Sequence, residues 1–329
     1  MYGLVAVACD ADADDGVPPA VRSAPAQGTG TQDIAAQGTA CSYTRPRGVA
    51  DTRQTIMSNG IERQYLLHVP ATYPLSYDGL APAPAPLLIA FHGGGVPAQS
   101  IVDLTAVAAA SDQHGMVTVF PEGMEQVWNA HGSPAPTVDT GFIADLIAQV
   151  ETTLCIDAHR VYAAGFSIGG SMALLFGCAH PDLVAAVAIV AAPYVSCQGN
   201  VPIVAFHGDA DPIAPYEGRP ASATGDGGLP AVAQAVSDWA SALDCEATPT
   251  VSRAAADVEL ATYGGCASGG EDALLYTVLG GGHAWPGAVF DFPREITGLT
   301  THSISATELI LTFFASHARS NARPQSRLE

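Results

Sequence analysis

The sequence predicts an α/β fold in which a mostly parallel central sheet carries helices on both faces. Short, continuous apolar runs alternate along the chain with segments whose apolar residues have helical spacing. Parallel strands that are buried on both faces have such continuous runs, whereas strands with one solvated face alternate. In a sheet of this kind, we expect the functional groups at the carboxyl ends of the strands.

A predicted hairpin opens the folded part of the chain. Strand-like residues 52–57 and 63–69 flank Asn59-Gly60, a pair that tight hairpin turns favour, and Pro70 ends the second strand. Six further strands are predicted at 87–91, 116–120, 160–164, 183–190, 203–206 and 274–278. Helices are predicted at 101–113, 140–154, 168–178, 230–243 and 303–317. No apolar run approaches the roughly 20 residues that span a membrane.

The chain carries a strong negative charge. It has 32 acidic and 12 basic residues, a formal net charge of −20, and every basic residue is arginine. Such a surface repels nucleic acid and anionic lipid, so we exclude both as main partners. Adaptation to a saline habitat is one interpretation of this charge, and an effect of solubility and genome composition is the other.

Residues 1–40 are predicted to be a targeting remnant followed by a disordered tether. A short apolar stretch ends at Cys9, as in bacterial lipoprotein signals, so Cys9 is a candidate for lipid anchoring. An ordinary signal remnant and a wrongly assigned start are the alternatives. Residues 11–40 are rich in Ala, Gly, Asp, Gln, Thr and Pro and have little to bury. We place the folded domain at 41–319 and a flexible tail at 320–329.

The cysteine count indicates export. The chain has seven cysteines, and setting Cys9 aside leaves six in the folded part, without the C-x-x-C spacing of metal or redox sites. Three disulfides formed in an oxidising compartment are the simplest interpretation, and buried free thiols are the alternative. We therefore expect a protein that is secreted, periplasmic or held at the cell surface.

Residues 165–169 read Gly-Phe-Ser-Ile-Gly, the only G-x-S-x-G pattern in the chain. The pattern follows predicted strand 160–164 and opens predicted helix 168–178, which is the setting of a nucleophile elbow in the α/β-hydrolase fold. The flanking glycines let neighbouring backbone pass closely around a strained serine. A helix N-cap serine, with glycines kept for packing, is the alternative. We expect Ser167 to be a nucleophile in an α/β-hydrolase fold that has no large separate lid domain.

A serine hydroxyl needs a base, and a third group must orient that base. In this fold, the chain order is serine, acid, histidine. Asp209 and Asp211 both follow predicted strand 203–206, and the residues alone leave both open as the acid. His283 follows predicted strand 274–278 in a glycine-rich loop and is the candidate base.

The oxyanion of a tetrahedral intermediate needs hydrogen-bond donors. The backbone N–H of Ile168, the residue after the serine, is one candidate. The second is expected from residues 92–95, which read His-Gly-Gly-Gly and follow predicted strand 87–91. A simple turn is the alternative interpretation of this run.

Four segments, taken in order, resemble the polyhydroxybutyrate depolymerase and feruloyl esterase family of secreted α/β-hydrolases. They are His-Gly-Gly at 92–94, the strand and elbow at 160–167, His-Gly-Asp-Ala-Asp-Pro-Ile-Ala-Pro-Tyr at 207–216, and Gly-Gly-His-Ala-Trp-Pro-Gly at 281–287. The resemblance covers about 41–319. It implies that Asp211 rather than Asp209 is the acid, and that Gly94 is the second oxyanion donor. It also implies a disulfide between Cys245 and Cys266, and a reaction without metal or organic cofactor.

The remaining four cysteines of the folded part are paired from their positions. Cys155 precedes the elbow strand, and Cys178 ends the helix that returns to the same sheet edge, so we pair these two. That choice leaves Cys41 with Cys197. It is one of three connectivities that four cysteines allow.

Two tryptophans lie in loops that follow predicted strands. Trp285 follows His283 by two residues, and Trp128 lies in the loop after predicted strand 116–120. Both are candidates for lining an acyl or aryl subsite. Ordinary packing is the alternative for each.

These features predict a secreted serine carboxylic ester hydrolase that works through an acyl-enzyme on Ser167, with His283 as the base and Asp211 as the acid that orients it. The expected substrate is a polymeric or oligomeric ester, either a polyester, with aromatic polyesters as an extension, or a hydroxycinnamoyl ester of the cell wall. An acetyl xylan esterase or another short-chain esterase is the alternative within this class. A serine peptidase of this fold would usually carry an extra domain, for which residues 41–319 leave no room. A non-catalytic surface binding protein would need a damaged triad, and the sequence shows no such damage. We expect a monomer.

Overall fold

A ten-stranded sheet forms the centre of the computed structural model, which describes residues 52–73, 83–130, 137–194, 201–221 and 228–320. In chain order the strands are β1 (Thr52–Ser58), β2 (Ile61–His68), β3 (Ala85–Phe91), β4 (Val117–Pro121), β5 (Ile156–Phe166), β6 (Ala186–Val190), β7 (Ile203–Gly208), β8 (Thr250–Ala255), β9 (Val258–Tyr263) and β10 (Ala273–Val278). The α-helices are α1 (Gln99–Thr105), α2 (Val107–Gln113), α3 (Val138–Thr153), α4 (Ile168–Ala179), α5 (Val232–Ala242), α6 (Arg294–Thr297) and α7 (Ala306–Ala315).

The strand order is β1-β2-β4-β3-β5-β6-β7-β10-β9-β8. The six middle strands, from β4 to β10 in that order, pair in parallel. Antiparallel strands extend both edges, β1 and β2 beyond β4, and β8 and β9 beyond β10. The prediction of a mostly parallel sheet is confirmed. Its parallel part brings the carboxyl ends of β3, β5, β7 and β10 to one edge of the sheet.

Helices cover both faces of this sheet, and each face has its own apolar core. Helices α3, α4 and α5 pack on one face, with Phe142 among the fully buried side chains. Helices α1, α2 and α7 pack on the other face, with Phe314 among them. The neighbouring residues Leu88 and Ile89 of β3 belong to opposite cores, because successive side chains of a strand point to opposite faces.

The predicted hairpin is present, with a tight turn at the predicted residues. Asn59 and Gly60 have φ values of 50° and 77°, the left-handed conformations that a two-residue turn of this kind requires. The second hairpin, β8–β9, was not predicted. Strand β8 is exposed along most of its length, so its sequence lacks the apolar pattern that marks a buried strand.

The single helix predicted at 101–113 is two helices, α1 and α2. Ala106 separates them with a left-handed φ of 51°, and its N–H donates to the carbonyl of Val102. The hydroxyl of Thr105 then accepts the N–H of Val107, the first residue of α2. Alanine has no local preference for the left-handed conformation, so the sequence carries no signal for this break.

Some predictions fall on parts of the chain that the structure leaves undescribed. Cys9, Cys41, Cys197, the predicted tether and all but the first residue of the predicted tail lie outside the described residues. Within the described ranges, no helix combines the length and the apolar character that crossing a bilayer requires.

Candidate active site

Ser167 lies in a sharp turn between β5 and α4. Its φ of 55° and ψ of −127° are strained for a residue that carries a side chain. A Cβ added to Gly165 would lie 2.7 Å from the nitrogen of Gly170, and a Cβ added to Gly169 would lie 2.5 Å from the carbonyl oxygen of Phe91. The glycines of the motif therefore allow α4 to approach the ends of β5 and β3.

A continuous hydrogen-bonded chain links three side chains that follow β5, β7 and β10. The hydroxyl of Ser167 donates to Nε2 of His283 at 2.8 Å, and Nδ1 of His283 donates to Oδ2 of Asp211 at 2.8 Å. Asp211 and His283 are both buried, whereas Ser167 is partly exposed. The serine hydroxyl is thus the accessible end of the chain, and the carboxylate is its buried end.

The structure separates the two aspartates that the sequence offered as the acid. Asp211 contacts His283, whereas Asp209 is exposed and its Oδ1 accepts the N–H of Gly280 at 2.5 Å. Asp209 therefore braces the glycine-rich loop that leads to His283. The geometry agrees with the choice of Asp211 that the family resemblance implied.

The surroundings of Asp211 keep it ionised. Its Oδ1 accepts the N–H groups of Ile213 and Ala214 at 2.8 Å each, and Nε2 of His207 lies 3.4 Å from Oδ2. Burial raises the pKa of Asp211. Hydrogen bonds from His207 and His283 and the charge of His283 together lower it by more than burial raises it, so the pKa lies well below the usual range. A carboxylate held in this state favours a proton on Nδ1 of His283, which leaves Nε2 free to accept the serine proton.

Backbone contacts hold the loop that carries His283. The N–H of His283 donates to the carbonyl of Thr297 at 2.5 Å, and the N–H of Gly282 donates to the carbonyl of Leu299 at 2.8 Å. A Cβ on Gly282 would lie 2.5 Å from the Cα of Gly298. Glycine at 282 therefore permits the close approach of two backbones that fixes the imidazole beside Ser167.

The loop after β3 lies directly beside the elbow. A Cβ on Gly94 would lie 3.2 Å from Cγ2 of Ile168, and a Cβ on Gly93 would lie 3.8 Å from the Cβ of Ser167. Ile168 opens helix α4, where the first N–H groups have no partner within the helix. The structure thus brings Gly94 and Ile168 together next to the serine, where backbone N–H groups are suited to stabilise an oxyanion.

His92 anchors this loop, a role that the sequence analysis did not assign. It is fully buried, its Nδ1 donates to the carbonyl of Gly93 at 2.7 Å, and its Nε2 accepts the N–H of Gly123 at 2.9 Å. Burial lowers the pKa of His92, and the hydrogen bond to Gly93 and the charge of Glu122 oppose this shift only in part. His92 is therefore held as a neutral imidazole. Its place immediately before the glycines was the only sequence signal.

The two tryptophans predicted as subsite residues are buried. Trp128 and Trp285 are only 1% and 3% exposed. The indole N–H of Trp128 donates to the carbonyl of His92 at 3.0 Å, and that of Trp285 donates to the hydroxyl of Thr307 at 3.0 Å. Because neither ring presents a face to solvent, we correct the expectation of substrate contact. The structure favours the packing alternative for both.

Disulfides, and not metal sites, cross-link the described residues. Cys245 and Cys266 form a disulfide, the pair that the resemblance implied. Cys155 and Cys178 are also disulfide-bonded, and because Cys41 and Cys197 lie outside the described residues, the pairing of these four stays a prediction. In the described ranges, no group of three or more His, Cys, Asp or Glu side chains is arranged to hold a metal ion.

Comparison with known proteins gives a relative that spans most of the chain. No protein-family model matches the sequence. The chain is 30% identical to the putative esterase NocK of Nocardia uniformis subsp. tsuyamanensis. The alignment is 297 residues long and covers 81% of this chain and 84% of that protein. The chain belongs to this esterase family. The esterase is thus a carboxylic ester hydrolase.

Two fungal relatives match a smaller part of the esterase. Feruloyl esterase B of Piromyces equi is 30% identical in an alignment 226 residues long that covers 61% of this chain and 40% of that protein. The probable feruloyl esterase C of Aspergillus flavus is 30% identical in an alignment 180 residues long that covers 50% of this chain and 63% of that protein. The esterase therefore spans less than two thirds of the length of either fungal protein.

Solved structures agree on the architecture. The acetyl xylan esterase from Aspergillus awamori superposes with a TM-score of 0.57 at 13% identity, over 80% of this chain and 99% of that one. A thermostable esterase superposes with a TM-score of 0.53 at 17% identity, over 82% of this chain and 63% of that one. At these identities the likeness concerns the fold alone, and the esterase has the α/β-hydrolase fold.

Proposed function

We propose that the esterase is a serine hydrolase that works through an acyl-enzyme on Ser167. The observation that carries this proposal is the hydrogen-bonded chain from Asp211 through His283 to Ser167, with both distances at 2.8 Å. Such a chain supplies a nucleophile, a base within reach of its proton, and a group that orients the base.

In the proposed mechanism, Oγ of Ser167 attacks the ester carbonyl while Nε2 of His283 takes the serine proton. The N–H groups of Gly94 and Ile168 stabilise the oxyanion of the tetrahedral intermediate. His283 then gives its proton to the leaving alcohol oxygen, and the acyl group stays on Ser167. Water, deprotonated by His283, attacks the acyl-enzyme in the second half of the reaction and releases the acid. Asp211 stabilises the imidazolium in both halves.

We propose esters with an apolar part, in polyesters or in cell-wall polymers, as the substrates. The two loops that carry Asp211 and His283 also carry a set of exposed apolar side chains, which we name the apolar rim: Ile213, Val289, Phe290, Phe292 and Ile296. Exposed apolar patches on soluble proteins often mark binding surfaces. The names of the fungal relatives, which are feruloyl esterases, support the same choice. The rim favours these substrates over acetyl esters, which offer one methyl group.

Two contacts order the part of the rim that contains Val289, Phe290 and Phe292. The rings of Phe290 and Phe292 contact each other edge to face with centroids 5.5 Å apart, and the N–H of Val289 donates to the carbonyl of Leu104 at 2.9 Å. Side chains that are already ordered lose little entropy on binding.

We further propose that the protein is secreted. The described residues include disulfide-bonded cysteines, and disulfides persist in oxidising compartments.

The test compares wild type with Ser167→Ala and with Ser241→Ala, a matched change of an exposed serine on α5. We expect Ser167→Ala to lower kcat for p-nitrophenyl butyrate by at least about 10⁴-fold, and Ser241→Ala to leave it unchanged. Equal rates for wild type and Ser167→Ala would refute the assignment of the nucleophile. A panel of methyl ferulate, hydroxybutyrate oligomers, acetylated xylan and an aromatic polyester then identifies the ester. Release from acetylated xylan alone would contradict the substrate class.

A further inference from the structure

Trp128 contacts residues 92–95, the loop after β3 that carries the predicted oxyanion donor Gly94. Its indole N–H donates to the carbonyl oxygen of His92 at 3.0 Å. Its ring packs edge-on against Phe91, with centroids 5.3 Å apart, and lies 4.9 Å from the imidazole of His92. A side chain that is 1% exposed and that donates to this carbonyl restrains the backbone at the start of the glycine run.

Two more hydrogen bonds join the segment of Trp128 to the same loop. The N–H of Gly123 donates to Nε2 of His92 at 2.9 Å, and the N–H of Gly95 donates to the carbonyl of Gln126 at 2.9 Å. We name residues 122–129 the clamp loop, because it holds the glycine run at both ends. Glycine is required at 123, since a Cβ there would lie 2.6 Å from the carbonyl oxygen of Val127.

A buried ion pair ties down both ends of the clamp loop. Arg63 donates to Oδ1 of Asp139 at 2.8 Å and to the carbonyl of Glu122 at 3.2 Å. The other oxygen of Asp139 accepts the N–H of Asn129 at 2.8 Å. The guanidinium also lies 4.0 Å from the ring centre of Phe142 in α3. The clamp loop is therefore fixed to β2 and α3. Its hydrogen bonds from Gly123 and Trp128 in turn restrain His92.

The geometry of one peptide unit links His92 to the oxyanion donor. The carbonyl of Gly93 and the N–H of Gly94 belong to the same planar trans peptide, so they point in opposite directions. Nδ1 of His92 donates to that carbonyl at 2.7 Å, which sets the direction of the Gly94 N–H. Because Nε2 of His92 accepts the N–H of Gly123, the proton must sit on Nδ1. The clamp loop thus selects the tautomer that orients the donor.

We propose that Trp128 is a positioning residue for the oxyanion hole, acting through His92 on the N–H of Gly94. The inference rests on the proposed function, since it assigns that N–H to the transition state. Trp128 holds the peptide on one side of Gly93, and the imidazole of His92 holds the peptide on the other side. Removing the indole N–H frees the first of these peptides to rotate, and the donor then loses its fixed direction.

The experiment compares Trp128→Phe with Trp239→Phe. Both changes remove a buried indole N–H that donates to a backbone carbonyl, since Trp239 donates to Val201 at 2.8 Å and is 5% exposed. Trp239 lies on α5, outside the clamp loop. We expect both variants to unfold at a lower temperature. Only Trp128→Phe should lower kcat for p-nitrophenyl butyrate, by about 10- to 100-fold with little change in KM, because a misdirected donor weakens the transition state and not substrate binding.

A second readout is the affinity for a boronic acid, whose tetrahedral adduct with Ser167 occupies the oxyanion hole. We expect Trp128→Phe to weaken this affinity by the same factor as kcat, and Trp239→Phe to leave it unchanged. Equal kcat and equal boronate affinity in the two variants would overturn the proposal. If Trp128→Phe does not fold, benzothienylalanine at 128 keeps the ring size, lacks only the N–H, and is judged by the same criteria. An active Ser167→Ala variant would instead overturn the proposed function.

Discussion

Replacing Gly169 by alanine tests how closely the elbow packs against the loop that bears the oxyanion donor. The added Cβ would lie 2.5 Å from the carbonyl oxygen of Phe91, and closer still to that of His92. Ordinary contacts of a Cβ begin at 3.4 Å. Helix α4, or the loop after β3, must therefore move by about 1 Å to accept one methyl group.

We expect this movement to lower both stability and rate. Overpacking of this kind costs about 1–3 kcal/mol of unfolding free energy. A displacement of about 1 Å at catalytic groups costs up to about 100-fold in rate. Gly94 belongs to the loop on one side of the contact that the new methyl group would push apart, and Ile168 belongs to the elbow on the other side. The loss should therefore fall on kcat rather than on KM.

The matched control is Gly264→Ala, because a Cβ at this position meets nothing within 4 Å. Thermal unfolding and p-nitrophenyl butyrate kinetics are measured for both variants and for wild type. Gly264→Ala should stay within about 0.5 kcal/mol of wild type and keep its kcat. If Gly169→Ala matches Gly264→Ala in both measurements, our interpretation of the contact between elbow and loop is refuted.

Two further predictions concern the acid and the apolar rim. Asp211→Asn should lower kcat by about 10⁴-fold, because the imidazole loses its orienting carboxylate. Since folding lowers the pKa of Asp211 below its ordinary value of 3.8, the carboxylate stabilises the native state above that pH and loses this effect as pH falls. The Tm of wild type should therefore exceed that of Asp211→Asn by a constant amount above about pH 5, and this difference should shrink as pH falls from about 5 to about 2. A difference that stays constant over that range would contradict the pKa assignment. Phe290→Ser should raise KM for methyl ferulate by about 3- to 10-fold, since it removes exposed apolar area from the proposed binding rim. Val251→Ser on exposed strand β8 should not, and equal effects on KM would argue against the rim.

The order of the hydrogen-bonded site residues along the chain was predictable, because each of them follows a strand with a clear apolar signal. Ser167 follows β5 in a motif that is typical of a nucleophile elbow, and His283 follows β10 in a run of glycines. The choice between Asp209 and Asp211 was not available from the pattern, since both leave β7 in the same turn. Only the family resemblance and then the hydrogen bond to His283 separated them.

What the sequence left open depends on contacts between distant segments. Trp128 was predicted to line a subsite, but it is buried and donates to the loop after β3, 36 residues away, and no local pattern records that contact. The break at Ala106 has the same origin, because alanine carries no signal for a left-handed turn. Strand β8 was missed because an exposed edge strand does not need apolar alternation, and its neighbour β9 is only half-buried over its four middle residues.

The spacing of the hydrogen-bonded site residues has a consequence for how this enzyme acquires activity. Ser167 and His283 are 116 residues apart, and Asp211 and His283 are 72 residues apart. His283 reaches its partners only when β10 has inserted between β7 and β9, a non-local pairing of the kind that forms slowly. During refolding, helical signal should return first and ester hydrolysis last. The time course of recovered ester hydrolysis therefore reports when β10 completes its pairing with β7. Spectroscopic measurements of helix content do not detect this step.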